Sequence, residues 1–254
     1  GPHCVSFPSR NAHHLTTFVA ECRRIVVEAV GKRGKTSPIV GAIVPWDIDF
    51  CRVGGMDVDA WIQDGLLDYV SPTETYVTDF NMVIEPWVRL ASSTSCAVYP
   101  GIIGLTSYQS DLCLPEEYGL KERGQGNSQV TSENIRALAH GFYAEGADGV
   151  SFFNFSPSGY DPLPDICLPE GIEGKERHYI YMKGALFSES YFLQVELPSG
   201  ASERKAVPCR LHEDLGTVEA IVRFKARRLS DIRSLRVDVN DQEIPADKLS
   251  LIPH

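Results

Sequence analysis

No Cys-x-x-Cys pair occurs in this sequence, and its seven cysteines (Cys4, Cys22, Cys51, Cys96, Cys113, Cys167 and Cys209) make an odd number. Both facts argue against a zinc ribbon or a dense disulfide scaffold. Cys22 and Cys96 fall within apolar patterns and read as small core residues. Long apolar runs are missing too. No stretch is long enough to cross a bilayer, so no membrane span is expected. Positive charge is scarce: 24 Lys and Arg stand against 34 Asp and Glu, for a formal net charge of -10. A surface of that sign repels phosphate backbones, which excludes nucleic acid from the expected partners. Neutral polar ligands are not repelled. There is no Gly-x-Ser-x-Gly elbow for an acyl-transfer nucleophile. An initiator Met is also absent, for the chain starts Gly1-Pro2-His3-Cys4.

What is present suits a folded α/β protein. At 254 residues and 43% hydrophobic, the chain can bury a sizeable core, as one large domain or a domain plus a small module. Leu15, Phe18, Val19, Cys22, Ile25, Val26 and Ala29 recur at helical spacing, so an amphipathic helix is predicted over 12–31, ended by Gly31 and Gly34. Residues 39–44 form a short β-branched run between Pro38 and Pro45, as a buried strand should. The alternation then repeats. A short helix at 57–64 precedes a strand at 67–70, and a helix at 82–91 precedes a strand at 96–99. After a Gly-, Ser-, Gln- and charge-rich insertion at 104–130, a helix at 132–145 is capped by Thr131 and stopped by Gly146. A strand at 149–153 follows.

The first three strand starts lie about one βαβ unit apart. That alternation implies a parallel sheet flanked by helices. A Rossmann-type sheet and a (β/α)₈ barrel both fit, although no Gly-x-Gly-x-x-Gly opens a helix after the first strand, which weakens the dinucleotide reading. Beyond residue 190 the pattern changes. Strands are predicted at 218–224 and 235–239, with a turn at Asn240-Asp241, as in a small antiparallel module. The domains expected are therefore 1–190 and 191–254. Four β/α units cannot close a barrel, because closure takes eight strands. Open parallel edges invite pairing. A missing first half or a second chain is needed to complete the sheet.

Several runs carry a resemblance. Gly55-Met56-Asp57-x-x-x-Trp61-x-x-x-Gly65-Leu66-x-Asp68-Tyr69 is one, and Thr78-Asp79-Phe80-Asn81-Met82-x-Ile84-x-x-Trp87 another. Val98-Tyr99-Pro100-Gly101 and Gly146-Ala147-Asp148-Gly149-Val150-x-x-Phe153-Asn154-Phe155 continue it. Together these resemble the glycosyl hydrolase-like family 10 proteins, over about residues 1–190 and more loosely in the tail. The start, Gly1-Pro2-His3-Cys4, resembles the segment just after the fourth barrel strand, so a natural fragment is expected rather than a protease-cleavage scar. The resemblance implies a (β/α)₈ TIM barrel represented by its C-terminal half, strands five to eight, followed by the small β-rich domain. It also implies a glycosidase activity on a carbohydrate substrate; no cofactor and no metal are expected.

Barrel chemistry gathers at the C-terminal ends of strands. That rule selects Trp46, Asp47 and Asp49 after the first strand and Glu74, Tyr76, Asp79 and Asn81 after the second. It adds Tyr99 at the third and Asn154 at the fourth. Glycoside hydrolysis needs two carboxyl groups, about 5–5.5 Å apart for retention and about 6.5–9.5 Å for inversion. Asp79, Glu74 and Asp47 are the catalytic candidates. Trp46, Tyr76 and Tyr99 could stack on sugar rings, and Asp49, Asn81 and Asn154 could hydrogen-bond them. Plainer roles compete: Asp49 or Asp57 as helix N-caps, and Asp79 as a tie to nearby backbone N–H groups. Asp68 and Asp148 stand at strand starts, on the opposite face, and read as structural.

Other motifs fail. Gly31-Lys32-Arg33-Gly34-Lys35-Thr36 looks like a P-loop, but Ala29 stands where the first Gly belongs and the run precedes a strand. His13 and His14 are adjacent, so on a helix their side chains diverge, and with His3 they make a poor metal site. Asn154-Phe155-Ser156 is a formal glycosylation sequon followed by Pro157. The leading expectation is a glycoside hydrolase-like protein working by carboxylate acid/base chemistry. A non-catalytic carbohydrate-binding or structural half-barrel is the alternative, and a gene fragment without independent function a third reading.

Overall fold

The computed structural model describes residues 12–34, 38–74, 78–107, 127–153, 164–181, 206, 207, 209–222, 231 and 235–250. The chain divides into two compact units, Gly1–Glu213 and Asp214–His254. The first is a mixed α/β unit built on a mostly parallel sheet. In chain order its elements are α1 (Ala12–Lys32), β1 (Gly41–Pro45), α2 (Ile48–Val53), α3 (Val58–Gln63), β2 (Tyr69–Thr73), α4 (Glu85–Ala91), β3 (Ala97–Val98) and β4 (Gly101–Ile103). There follow β5 (Leu105–Ser107), β6 (Asn127–Gln129), α5 (Ser132–Ala144) and β7 (Ser151–Phe153).

The main sheet has five strands in the order β1-β2-β4-β7, with β3 also paired to β2, and every pairing in it is parallel. Gly41 to Pro45 lie opposite Tyr69 to Thr73, Thr73 opposite Gly101, and Gly101 to Ile103 opposite Ser151 to Phe153. Within the expected insertion, β5 and β6 form an antiparallel pair. The predicted strand at 67–70 is observed at 69–73. Ser71-Pro72 reads as a strand breaker in sequence, yet Pro72 takes its place opposite Val44.

Strand residues alternate between two faces. One face carries Val44, Val70 and Val98, which pack with Cys51, Val58, Trp61, Ile62 and Trp87 from α2, α3 and α4. A second cluster joins Ile102 to Ile84, Ile135, Leu138, Ala139 and Phe142 of the α4 start and α5. Each such side chain removed from water contributes about 1.5–3 kcal/mol. The other face is made of Gly41, Ile43, Tyr69, Ser71, Thr73, Gly101 and Ser151. Gly41 is needed there, since a Cβ would lie 2.1 Å from the Tyr69 ring. Gly101 is needed too, since a Cβ would lie 2.0 Å from Thr73 Oγ1. With no side chain at Gly101, Ser71 reaches across the intervening strand to Ser151, hydroxyl to hydroxyl at 2.6 Å.

Local chemistry sets the helix ends. Thr131 caps α5 through a reciprocal pair: its hydroxyl accepts the Asn134 N–H at 3.2 Å and Asn134 Oδ1 accepts the Thr131 N–H at 3.0 Å. Gly146 follows the helix with φ +95°. The helix α2, absent from the sequence expectation, is capped by Asp47.

The apolar stripe of α1 departs from its expected burial. No residue of this helix is buried, Phe18 and Ile25 are exposed, and Val19 is the part of the stripe that packs on the core. No layer of the described residues lies over the stripe. The helix is held instead by Arg23 on Asp68, at 2.6 and 3.1 Å, and by the Trp61 indole N–H on Thr16 Oγ1 at 2.9 Å.

In the second unit, β8 (Asp238–Val239) and β9 (Gln242–Glu243) form a hairpin around Asn240 and Asp241, whose φ values are 50° and 62°. Positive φ at both turn residues is what a tight two-residue hairpin demands. The strand expected at 218–224 does not form over its described residues, 218–222, where Ile221 and Val222 are exposed.

Candidate functional site

The C-terminal edge of the parallel sheet places Trp46 and Glu74 side by side, with Asp79 on the loop after β2. Because Pro45 lies opposite Thr73, the residues that follow them, Trp46 and Glu74, leave the sheet side by side. The Trp46 N–H extends the ladder to the Thr73 carbonyl at 3.2 Å. Its own carbonyl accepts the Trp87 indole N–H at 2.6 Å, which fixes the turn out of β1 from below. Glu74 is buried, with 7% of its surface exposed.

Asp79 is placed by its neighbour Thr78. The buried Thr78 hydroxyl donates to the Ile103 carbonyl at 2.8 Å and accepts the Ile103 N–H at 3.1 Å. That hydroxyl replaces the strand neighbour that β2 no longer provides at this level, and it pins the loop after β2 to the tip of β4. Asp79 Oδ1 accepts the Asn81 N–H at 2.8 Å. Burial pushes the Asp79 carboxyl above its ordinary range, with the Asn81 N–H working the other way. A carboxyl held partly out of water at a strand tip can keep its proton to a higher pH than a surface aspartate.

The remaining candidates have other surroundings. Asp47 caps α2, its Oδ1 accepting the N–H groups of Asp49 and Phe50 at 2.9 and 3.0 Å. Asp49 is exposed and pairs with Arg52 at 2.8 Å. Asp57 caps α3 through the Ala60 N–H at 3.1 Å. Asn81 Oδ1 accepts the backbone N–H of Arg210 at 3.0 Å. Tyr99 stands away from the edge. The strand course runs on through β4 to Ile103, so Tyr99 lies beside Val70, whose carbonyl accepts its N–H at 2.9 Å. Its ring is 5.5 Å from that of Tyr69 and closes over Gly149. Tyr76 and Asn154 lie outside the described residues.

At the opposite edge, Asp68 and Asp148 do matching structural work. Asp68 Oδ2 accepts the Val40 N–H at 2.7 Å, and Asp148 Oδ2 accepts the Val98 N–H at 2.8 Å. Each carboxylate ties the entry to its own strand to the strand region that precedes it in the chain. The Arg23 guanidinium beside Asp68 holds its carboxyl below the usual carboxylate range, against the effect of burial.

Two features escaped the sequence reading. Thr78 stands within a motif that by itself assigns it no role. A charged cluster of Glu145, Glu213, His140, His212, Arg177 and Arg210 packs against α5 and the loop after β2. Its members are scattered along the chain, with no spacing signal to join them. Among the described residues, no group of three or more His, Cys, Asp or Glu side chains is arranged to hold a metal ion, and no helix is long and apolar enough to cross a membrane. Compared with known proteins, the chain matches no protein-family model and no curated protein.

Proposed function

We propose that this chain is half of a (β/α)₈ barrel of the glycoside-hydrolase type, acting on a poly- or oligosaccharide when its barrel is complete. The parallel order β1-β2-β4-β7, with helices packed on one face, supports the architecture. So does the opposite face. Ile43 of the outermost strand β1 is 57% exposed there, and Ile39 just before it is more exposed still. Four further strands, from an N-terminal barrel half or a second chain, would cover these residues and close the sheet.

The observation that carries the chemical reading is that Glu74 and Asp79, which follow β2 in the chain, are both carboxyl groups withdrawn from water. Asp79, with its raised pKa, is the general acid: it gives its proton to the glycosidic oxygen as the bond to the anomeric carbon breaks. Glu74 is the second carboxylate, attacking that carbon or taking a proton from the attacking water. Trp46 offers an aromatic surface to a sugar ring. Asp47 is the weaker third candidate, because its oxygen already serves a helix cap.

The test is release of reducing sugar from a panel of oligosaccharides by the barrel-complete protein. Glu74→Gln and Asp79→Asn should each lower the rate about 10²–10⁴-fold. A wild-type rate left intact by both substitutions would remove the assignment. A second reading, a sugar-binding module without turnover, is favoured by the side chains of Asp47 and Asn81, which are committed to backbone N–H groups. Glycan binding with no sugar release would select it.

A further inference from the structure

The loop between β2 and α4, which carries Asp79, is gripped from outside by a distant part of the chain. Residues 209–213 run along it as a strap. The backbone N–H of Arg210 donates to Asn81 Oδ1 at 3.0 Å. Arg210 Nε and His212 Nε2 meet Glu145 Oε1 at 3.1 and 3.0 Å. The other oxygen of the same carboxylate accepts the N–H groups of Ile84 and Glu85, at 2.8 and 3.1 Å. The Glu145 side chain is 5% exposed, so this one carboxylate joins the end of the loop to the strap with little access for water.

A second fastening lies beside it. Glu213 accepts Arg177 Nε at 2.5 Å, Arg177 Nη2 at 2.7 Å and the Tyr179 hydroxyl at 2.7 Å, with His140 Nδ1 at 3.6 Å. The Tyr181 hydroxyl donates to the Arg210 carbonyl at 2.5 Å. Apolar contact adds little, for Leu211 is exposed and no residue of 209–213 belongs to the buried core. A small cavity lies between Phe80, Met82, Leu138, Tyr179 and His212. Its attachment therefore rests on charge-assisted hydrogen bonds, which are strong when dry and leave costly unpaired charges when broken.

The geometry points to a clamp: the strap at 209–213, fastened through Glu145 and Glu213, holds the loop at 78–84 and with it Asp79 at the sheet edge, and release of the strap loosens that loop. Arg210 and Glu145 are its positioning residues. The strap reaches the loop directly at Asn81 and, through Glu145, at Ile84, on either side of Met82. The consequence for catalysis rests on the role proposed for Asp79; the clamp itself does not.

Hydrogen exchange of backbone amides in the full chain tests it. Glu145→Gln is the informative variant. Its amide oxygen can still accept the Ile84 and Glu85 N–H groups, while an uncharged NH₂ group replaces the carboxylate oxygen that pairs with Arg210 and meets His212. The amides of 81–84 and of 210–213 should then exchange about 10-fold faster or more, with β2 and α5 unchanged. Arg210→Ala should act alike, and Arg210→Lys should restore part of the protection. Faster strap exchange with an unchanged loop would overturn the proposal, as would no change in either. If Glu145→Gln speeds exchange everywhere, Arg210→Ala decides by the same two criteria. No sugar enters the experiment, so a failed clamp and a failed glycosidase reading are told apart.

Discussion

Replacing Thr78 with Val should destabilise the first unit out of proportion to the change in shape. The two side chains are nearly the same size, but valine has no hydroxyl. In the native chain that hydroxyl serves both the N–H and the carbonyl of Ile103, at 3.1 and 2.8 Å, inside a buried site. Valine strands both groups. A buried polar group left without its partner costs about 1–3 kcal/mol, so the pair should cost about 2–6 kcal/mol. That is a large share of the roughly 5–15 kcal/mol that holds a typical domain together. Thr78→Ser keeps the hydroxyl and removes one methyl group, at about 0.5–1.5 kcal/mol. Urea unfolding followed by tryptophan fluorescence is the assay, because Trp46, Trp61 and Trp87 all lie in the first unit. A lower midpoint at constant slope reads as lost stability. A Thr78→Val midpoint within about 0.5 kcal/mol of wild type, or one equal to that of Thr78→Ser, would refute the reasoning, because both substitutions would then be acting through size alone.

Other outcomes follow from the same geometry. Asp47→Ala should lower stability by about 0.5–2 kcal/mol, and Asp47→Ser should lower it far less, since serine also caps a helix; thermal unfolding compares them, and an equal loss would deny the capping role. Asp79→Asn should stabilise the chain at neutral pH. The folded-state pKa of Asp79 is raised above its ordinary 3.8, so burial penalises the charged form. The penalty is absent below pH 3.8, grows as pH rises toward the raised value and is complete above it. The variant should therefore match wild type at about pH 3 and exceed it at pH 7, and equal midpoints at both would contradict the sign. Gly41→Ala should lower the melting temperature, because its methyl group would sit 2.1 Å from the Tyr69 ring. Overpacking of this kind costs about 1–3 kcal/mol, and an unchanged melting temperature would show that the ring can move aside.

Much of the first unit was legible because its signals are local. Thr131 and Gly146 marked the ends of α5 where they are observed, and Asn240-Asp241 marked the observed hairpin turn. The strands at 39–44 and 149–153 were found to within two residues at each end. The fit was poorer where a local rule met a tertiary demand. The strand predicted at 67–70 runs on past Pro72 to Thr73, carried by its pairing with β1. The stripe of α1 had the period of a buried face, yet period fixes which residues share a face and not whether anything lies on it.

The candidate site divides in the same way. Alternation of strand and helix was enough to place Trp46, Glu74 and Asp79 after strands, hence along one edge of a parallel sheet, because parallel strands joined by helices all point the same way. Which of these groups stay available was decided by contacts the sequence does not encode locally. Asp47 became a helix cap, Tyr99 fell short of a tip that runs on to Ile103, and Asn81 met a backbone N–H 129 residues away. A residue's neighbours three or four positions off are set by the geometry of its own helix or strand. A partner more than a hundred positions off is chosen by how whole layers pack, after loop closure has brought them together.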